Sequence, residues 1–200
     1  MWDLGQVIGV LLDPPSQGRA LLREESDGQI VSYQAAWRTE RALEPGRWYL
    51  RRQAPAGHAT ETSDGVTNRS FEGLKLIEQA TGRPDYWPPT LHLLLPLKAW
   101  FWGRPGDDWR MLPDVRTERE LATVNLSHTE NRDERALLVV DMERRLLVRY
   151  ERPSSALTLV AINTALLWDG RGDSVGRRVS DEQWVPAEPQ APSGTVRYAG

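Results

Sequence analysis

Turn signals interrupt this chain too often for it to build long helices. In its N-terminal quarter Asp13-Pro14-Pro15, Asp27-Gly28 and Pro45-Gly46 separate short apolar-rich runs at residues 6–12, 19–23, 29–34 and 47–51. Runs of this length, bounded by Gly, Pro and Asp, read as strands of an antiparallel meander. Asp27-Gly28 marks a tight hairpin, because both residues tolerate the positive φ that a two-residue turn demands. In the last of these runs Trp48 and Leu50 share one face, while Arg47, Tyr49 and Arg51 share the other, since strand side chains alternate.

The pattern then changes. Residues 53–69 are small and polar with no periodicity, which predicts a connector after an N-terminal antiparallel β unit at 1–52. The spacing of Phe71, Leu74 and Ile77, with Ser70 as a cap and Gly82 and Pro84 as a stop, predicts the one clear helix. Gly73 inside it costs about 1 kcal/mol relative to alanine. Strand patterns resume at residues 90–102, 121–127, 136–142 and 145–151, and 155–168 fits either a buried strand, the favoured reading, or a capped helix after Pro153. The expected fold is therefore mainly β (α+β): antiparallel sheets, or a small barrel-like N-terminal unit, with one helix packed on a second sheet over 70–170. The Gly, Arg, Ser and Pro mixture of 171–200 predicts a partly ordered tail.

Composition narrows the function classes. Hydrophobic residues make up 40% and charged residues 26%, so a packed core is expected without staples. The absence of cysteine excludes disulfides, thiolate metal sites and cysteine nucleophiles. A net charge of −3 gives no overall cationic field for nucleic acid. The N-terminus lacks a basic leader, its apolar run is short for a signal peptide, and no run reaches the roughly 20 apolar residues of a membrane helix. The expectation is a cytoplasmic protein without a membrane partner.

The densest apolar stretch, residues 91–110 (LHLLLPLKAWFWGRPGDDWR), carries the candidate binding surface. Read as a strand over 91–102, its odd positions are apolar and its even positions end in Trp100 and Trp102, with Lys98 before them. Pro96 cannot donate to a ladder and implies an edge strand. Trp100, Trp102 and Trp109 with Lys98, Arg104 and Arg110 form a candidate interface for a protein partner or a second copy. The same indoles can stack on single-stranded nucleic acid, with Arg47, Tyr49 and Arg51 as a phosphate track. A third reading is a metal-assisted hydrolase built from Asp107 and Asp108 with His92 or His128. Turn chemistry explains those aspartates as well, and no phosphate loop, nucleophile elbow or zinc motif occurs. Arg171-Gly172-Asp173 and Asn125-Leu126-Ser127 match short recognition strings whose false-positive rate deprives them of weight. No cofactor or metal is expected, and the leading reading is a non-catalytic subunit or adaptor bound through strand edges and tryptophan-rich loops.

Overall fold

The computed structural model describes residues 1–39, 46–54, 57–73, 75–81, 87–164 and 195–197. It is mainly β, with a single α-helix among the described residues. Helix α1 spans Leu4–Leu11, and the strands are β1 (Gln17–Ser26), β2 (Gln29–Arg38), β3 (Arg47–Ala54), β4 (Gly57–Ser63), β5 (Thr67–Glu72), β6 (Lys75–Thr81), β7 (Trp109–Glu118), β8 (Leu121–His128), β9 (Arg135–Asp141), β10 (Leu146–Arg152), β11 (Ser155–Asn163) and β12 (Thr195–Arg197). Two 3-10 turns, Pro89–Leu93 and Pro96–Lys98, lie between β6 and β7.

All the strands belong to one open antiparallel sheet in the order β6-β5-β4-β3-β2-β1-β11-β10-β9-β8-β7, with β12 beside β11. Two meanders, β1 to β6 and β7 to β11, are joined where β1 pairs with β11. The edge strands β6 and β7 are therefore consecutive in sequence and ten strand spacings apart, roughly 48 Å along the sheet at 4.8 Å per strand. The chain between them has to cross the sheet.

That crossing builds the core. Trp87, Leu91, Leu93, Leu94, Leu95, Ala99 and Phe101 of the crossing segment are buried in one cluster with Val7, Val10 and Leu11 of α1. The same cluster holds Leu22, Tyr33, Ala35, Trp37, Trp48 and Leu50 from one meander, and Val124, Leu126, Leu138, Val140, Leu157 and Leu159 from the other. Both halves of the sheet thus turn the same face toward a shared plug. Between Val10, Leu11, Trp37, Leu93, Leu147 and Ile162 a cavity of about 10 Å³ remains. Tyr33, held by its hydroxyl donating to Glu24 Oε2 at 2.7 Å, is pushed up to about 12, chiefly by burial and then by Glu24.

Four expectations are corrected here. Residues 4–11 form the helix, because Asp3 and Gln6 make a reciprocal capping box (Gln6 N–H to Asp3 Oδ1 at 2.8 Å, Asp3 N–H to Gln6 Oε1 at 2.9 Å) and Val7, Val10 and Leu11 then share one face. The helix expected from Ser70 onward is the β5–β6 hairpin, in which Gly73 takes φ +58. The left-handed backbone that made glycine look costly in a helix is what the turn requires. The 53–69 stretch expected as a connector contains all of β4 and the start of β5, joined by a turn in which Asp64 Oδ1 accepts from Val66 and Thr67 N–H at 2.9 and 2.8 Å. Residues 90–102 are not a strand: Pro89 and Pro96 open 3-10 turns, and Leu91, Leu93, Leu94 and Leu95 are all buried without alternation. Of the segment 155–168, Ser155–Asn163 is a strand and 165–168 lie outside the described residues; the Asp27-Gly28 turn has φ +51 and +74. The tail lies outside the described residues apart from Thr195–Arg197.

Because Leu138 on β9 is fully buried in the shared core, Leu138→Ala is expected to destabilise the fold by about 2–5 kcal/mol. Ile30→Ala, at a half-exposed site, is expected to cost under about 0.5 kcal/mol. Urea denaturation of the two variants distinguishes them.

Candidate functional site

The structure separates the expected indole cluster into different roles. Trp100 is 47% exposed and lies edge-on to the buried His92 ring at 5.2 Å. Trp102 is half-buried, with its indole N–H donating to the Pro96 carbonyl at 2.9 Å. Trp109 is buried and edge-on to His128 at 5.0 Å. Three stacking platforms side by side are not available from this arrangement.

The cations divide similarly. Arg104 is bound locally: its guanidinium donates to Asp107 at 3.1 and 3.3 Å, to the Ala99 carbonyl at 2.7 Å and to the Leu97 carbonyl at 3.3 Å. Lys98 is half-buried in the second 3-10 turn, and Arg110 is exposed on β7. Arg47, Tyr49 and Arg51 share one face of β3, as alternation predicted, and Tyr49 is buried there. Strand β3 is seven strand spacings from β7, roughly 34 Å along the sheet. The two halves of the imagined nucleic-acid footprint belong to different meanders.

The hydrolase groups are occupied by structural work. Asp107 is buried, and its Oδ2 accepts from the Trp102 and Arg104 backbone N–H groups, both at 3.0 Å, as well as from the Arg104 side chain. His128 Nδ1 accepts from Glu130 and Asn131 N–H at 3.2 and 3.1 Å. Asp108 is exposed. His92 is buried, and its pKa falls to about 4, mainly through burial and then through the charge of Arg152. Among the described residues no group of three or more His, Cys, Asp or Glu is arranged to hold a metal.

A different feature stands out, which sequence reasoning missed because it took this segment for a helix. Strands β4, β5 and β6 extend the sheet past the plug, and none of their residues joins the hydrophobic cluster. Strand β6 ends the sheet; residues 75–79 are all exposed, including Leu76 at 45% and Ile77 at 50%. The opposite edge is blunted. There β7 carries Pro113 and loses register between Met111 and Val115, and the Trp2 N–H donates to Thr117 Oγ1 at 3.1 Å. Strand β6 has a one-residue irregularity opposite Ser70 and Phe71, but contains no proline and has no described strand on its outer side.

Comparison with known proteins supports the fold alone. The chain is similar to the crystal structure of MucB, with a TM-score of 0.50 and 15% identity over 98% of this chain and 65% of that one. It thus spans less than two thirds of MucB's length. A structure of a DUF1329 family protein from Desulfovibrio piger ATCC 29098 aligns with a TM-score of 0.34 and 10% identity, over 79% of this chain and 75% of that one. No family model and no curated protein matches the sequence. No helix among the described residues is long and apolar enough to cross a membrane.

His92 yields a pH prediction. Its folded pKa lies below the ordinary value of 6.5, so the unfolded chain binds the proton more readily. Its contribution to stability is complete above 6.5 and is lost as pH falls toward 4, by roughly 3 kcal/mol in all. Denaturant melts at pH 7 and pH 4 are expected to show a smaller acid loss for His92→Gln than for the wild type. Equal losses would mean that the imidazole is not held neutral in the core.

Proposed function

We propose that this chain is a non-catalytic protein-binding module, a subunit or adaptor of a larger assembly, and that β6 is its contact element. The observation that carries this reading is an exposed terminal strand, beyond the reach of the plug, that presents Leu76 and Ile77 to solvent. An edge strand offers alternate backbone N–H and C=O groups with no partner, and adding a strand satisfies them. Apolar side chains on the same strand supply the area that makes such an addition favourable. The roles of Asp107 and His128 as loop ties support binding over catalysis, since each is already committed to backbone partners.

The module is expected to engage an extended segment of its partner. A photo-crosslinking amino acid placed at position 77 is expected to capture one extended segment of a discrete protein, located by mass spectrometry. The same group at position 30, which is just as exposed on β2, is expected to yield none. Comparable adducts from both positions, or none from position 77, would contradict the assignment of β6. Ile77→Lys is expected to abolish capture by a crosslinker placed at position 79, while changing stability by no more than about 0.5 kcal/mol.

A further inference from the structure

The register of the projecting strands sets three rows of side chains on the face that continues the core. In the first, Trp48 pairs with Ser63, Ser63 with Asn68 and Asn68 with Ala80, so the row carries no charge. In the third, Arg52 pairs with Ala59, Ala59 with Glu72 and Glu72 with Lys75, so its one carboxylate lies directly beside a cation. The row between them runs Leu50, Glu61, Ser70, Glu78. It contains two carboxylates and no cation.

Glu61 sits where this middle row leaves the core and is half-buried. Burial, and then the charge of Glu78, push its carboxyl above the ordinary carboxylate range. It differs in this from Asp64 in the adjoining turn, where Val66, Thr67 and Arg69 supply donors. The two glutamates are two strand spacings apart, roughly 10 Å, and Glu78 is on the terminal strand. Whatever residue an added strand sets beside Glu78 becomes the next member of the row. On the opposite face the corresponding row ends in Phe71 and Leu76, which an added strand would extend with an apolar side chain.

Resting on the reading of β6 as the contact element, we infer that the partner's added strand carries a lysine or arginine beside Glu78 and an apolar residue beside Leu76. A cationic side chain at that place pairs with Glu78 directly and offsets a row that otherwise holds only carboxylates, with Glu61 three strand spacings, roughly 14 Å, further back. A neutral side chain there leaves both carboxylates as they are, and an acidic one adds a third like charge at close range. The row therefore selects for the partner's sign as well as for its strand form.

Selection of a random peptide-display library on the full chain, counter-selected on Ile77→Lys, tests this directly. Binders that depend on β6 are expected to alternate apolar and polar residues and to share one Lys or Arg. The Glu61→Gln, Glu78→Gln double variant is expected to bind a synthesised representative about tenfold more weakly, and raising salt is expected to weaken its binding to the wild type. Binders that depend on β6 but are neutral or acidic at that place, or that are indifferent to salt and to the double variant, would overturn the charge inference and leave β6 as the contact element. A selection that returns no β6-dependent binder would overturn the contact assignment and the inference with it.

Discussion

The structure depends on one crossing. Since β6 and β7 are consecutive in sequence but stand at opposite edges of the sheet, the chain between them must traverse the face it will later help to bury. A crossing through the interior cannot leave backbone polar groups unsatisfied. Here it is folded into 3-10 turns at Pro89–Leu93 and Pro96–Lys98, and its far end is closed by Asp107, which gathers two backbone N–H groups and the Arg104 guanidinium. Leucine and aromatic side chains fill the remaining space. The tryptophan-rich stretch is thus first of all the means by which one chain closes its own core.

The extent of the plug decides where the surface becomes available. Its leucines and Phe101 pack with residues from β1 to β3 and from β8 to β11, and the hydrophobic cluster contains no residue of β4, β5 or β6. Along the middle row the side chains change from Leu50 to Glu61, Ser70 and Glu78 as the plug is left behind. A sheet that stopped at β3 would bury the same core. The three further strands add no residue to that core and are held by their ladders to one another, so the sheet continues past its core as an ordered edge.

Much of the β architecture was legible in the sequence. The runs near β1, β2, β3, β8, β9, β10 and β11 are bounded by turn residues, and Asp27-Gly28 adopts the positive φ values its chemistry favours. The alternation of Trp48 and Leu50 against Tyr49 and Arg51 also held. The errors came where two periodicities compete. Phe71 and Ile77 fit a helical stripe, and only Gly73 pointed to a turn; Asp3 and Gln6 formed a capping box that the short apolar run after them concealed. The candidate site was harder still. Indoles and arginines near one another in sequence were distributed by the crossing among core, loop tie and surface, whereas the edge at β6 owes its exposure to strand order, which no local pattern encodes.

Residue-resolved amide hydrogen exchange on the isolated chain tests this account most directly, because it reports which strand faces are bonded and which are open. The account predicts the slowest exchange in β8, β9 and β11, and in β6 an alternation of protected amides bonded to β5 with fast-exchanging amides facing outward. Uniform protection along β6 would show that the edge is already covered, and uniform fast exchange through β4, β5 and β6 would show that the projecting strands are not formed. Either result would contradict a preformed binding edge.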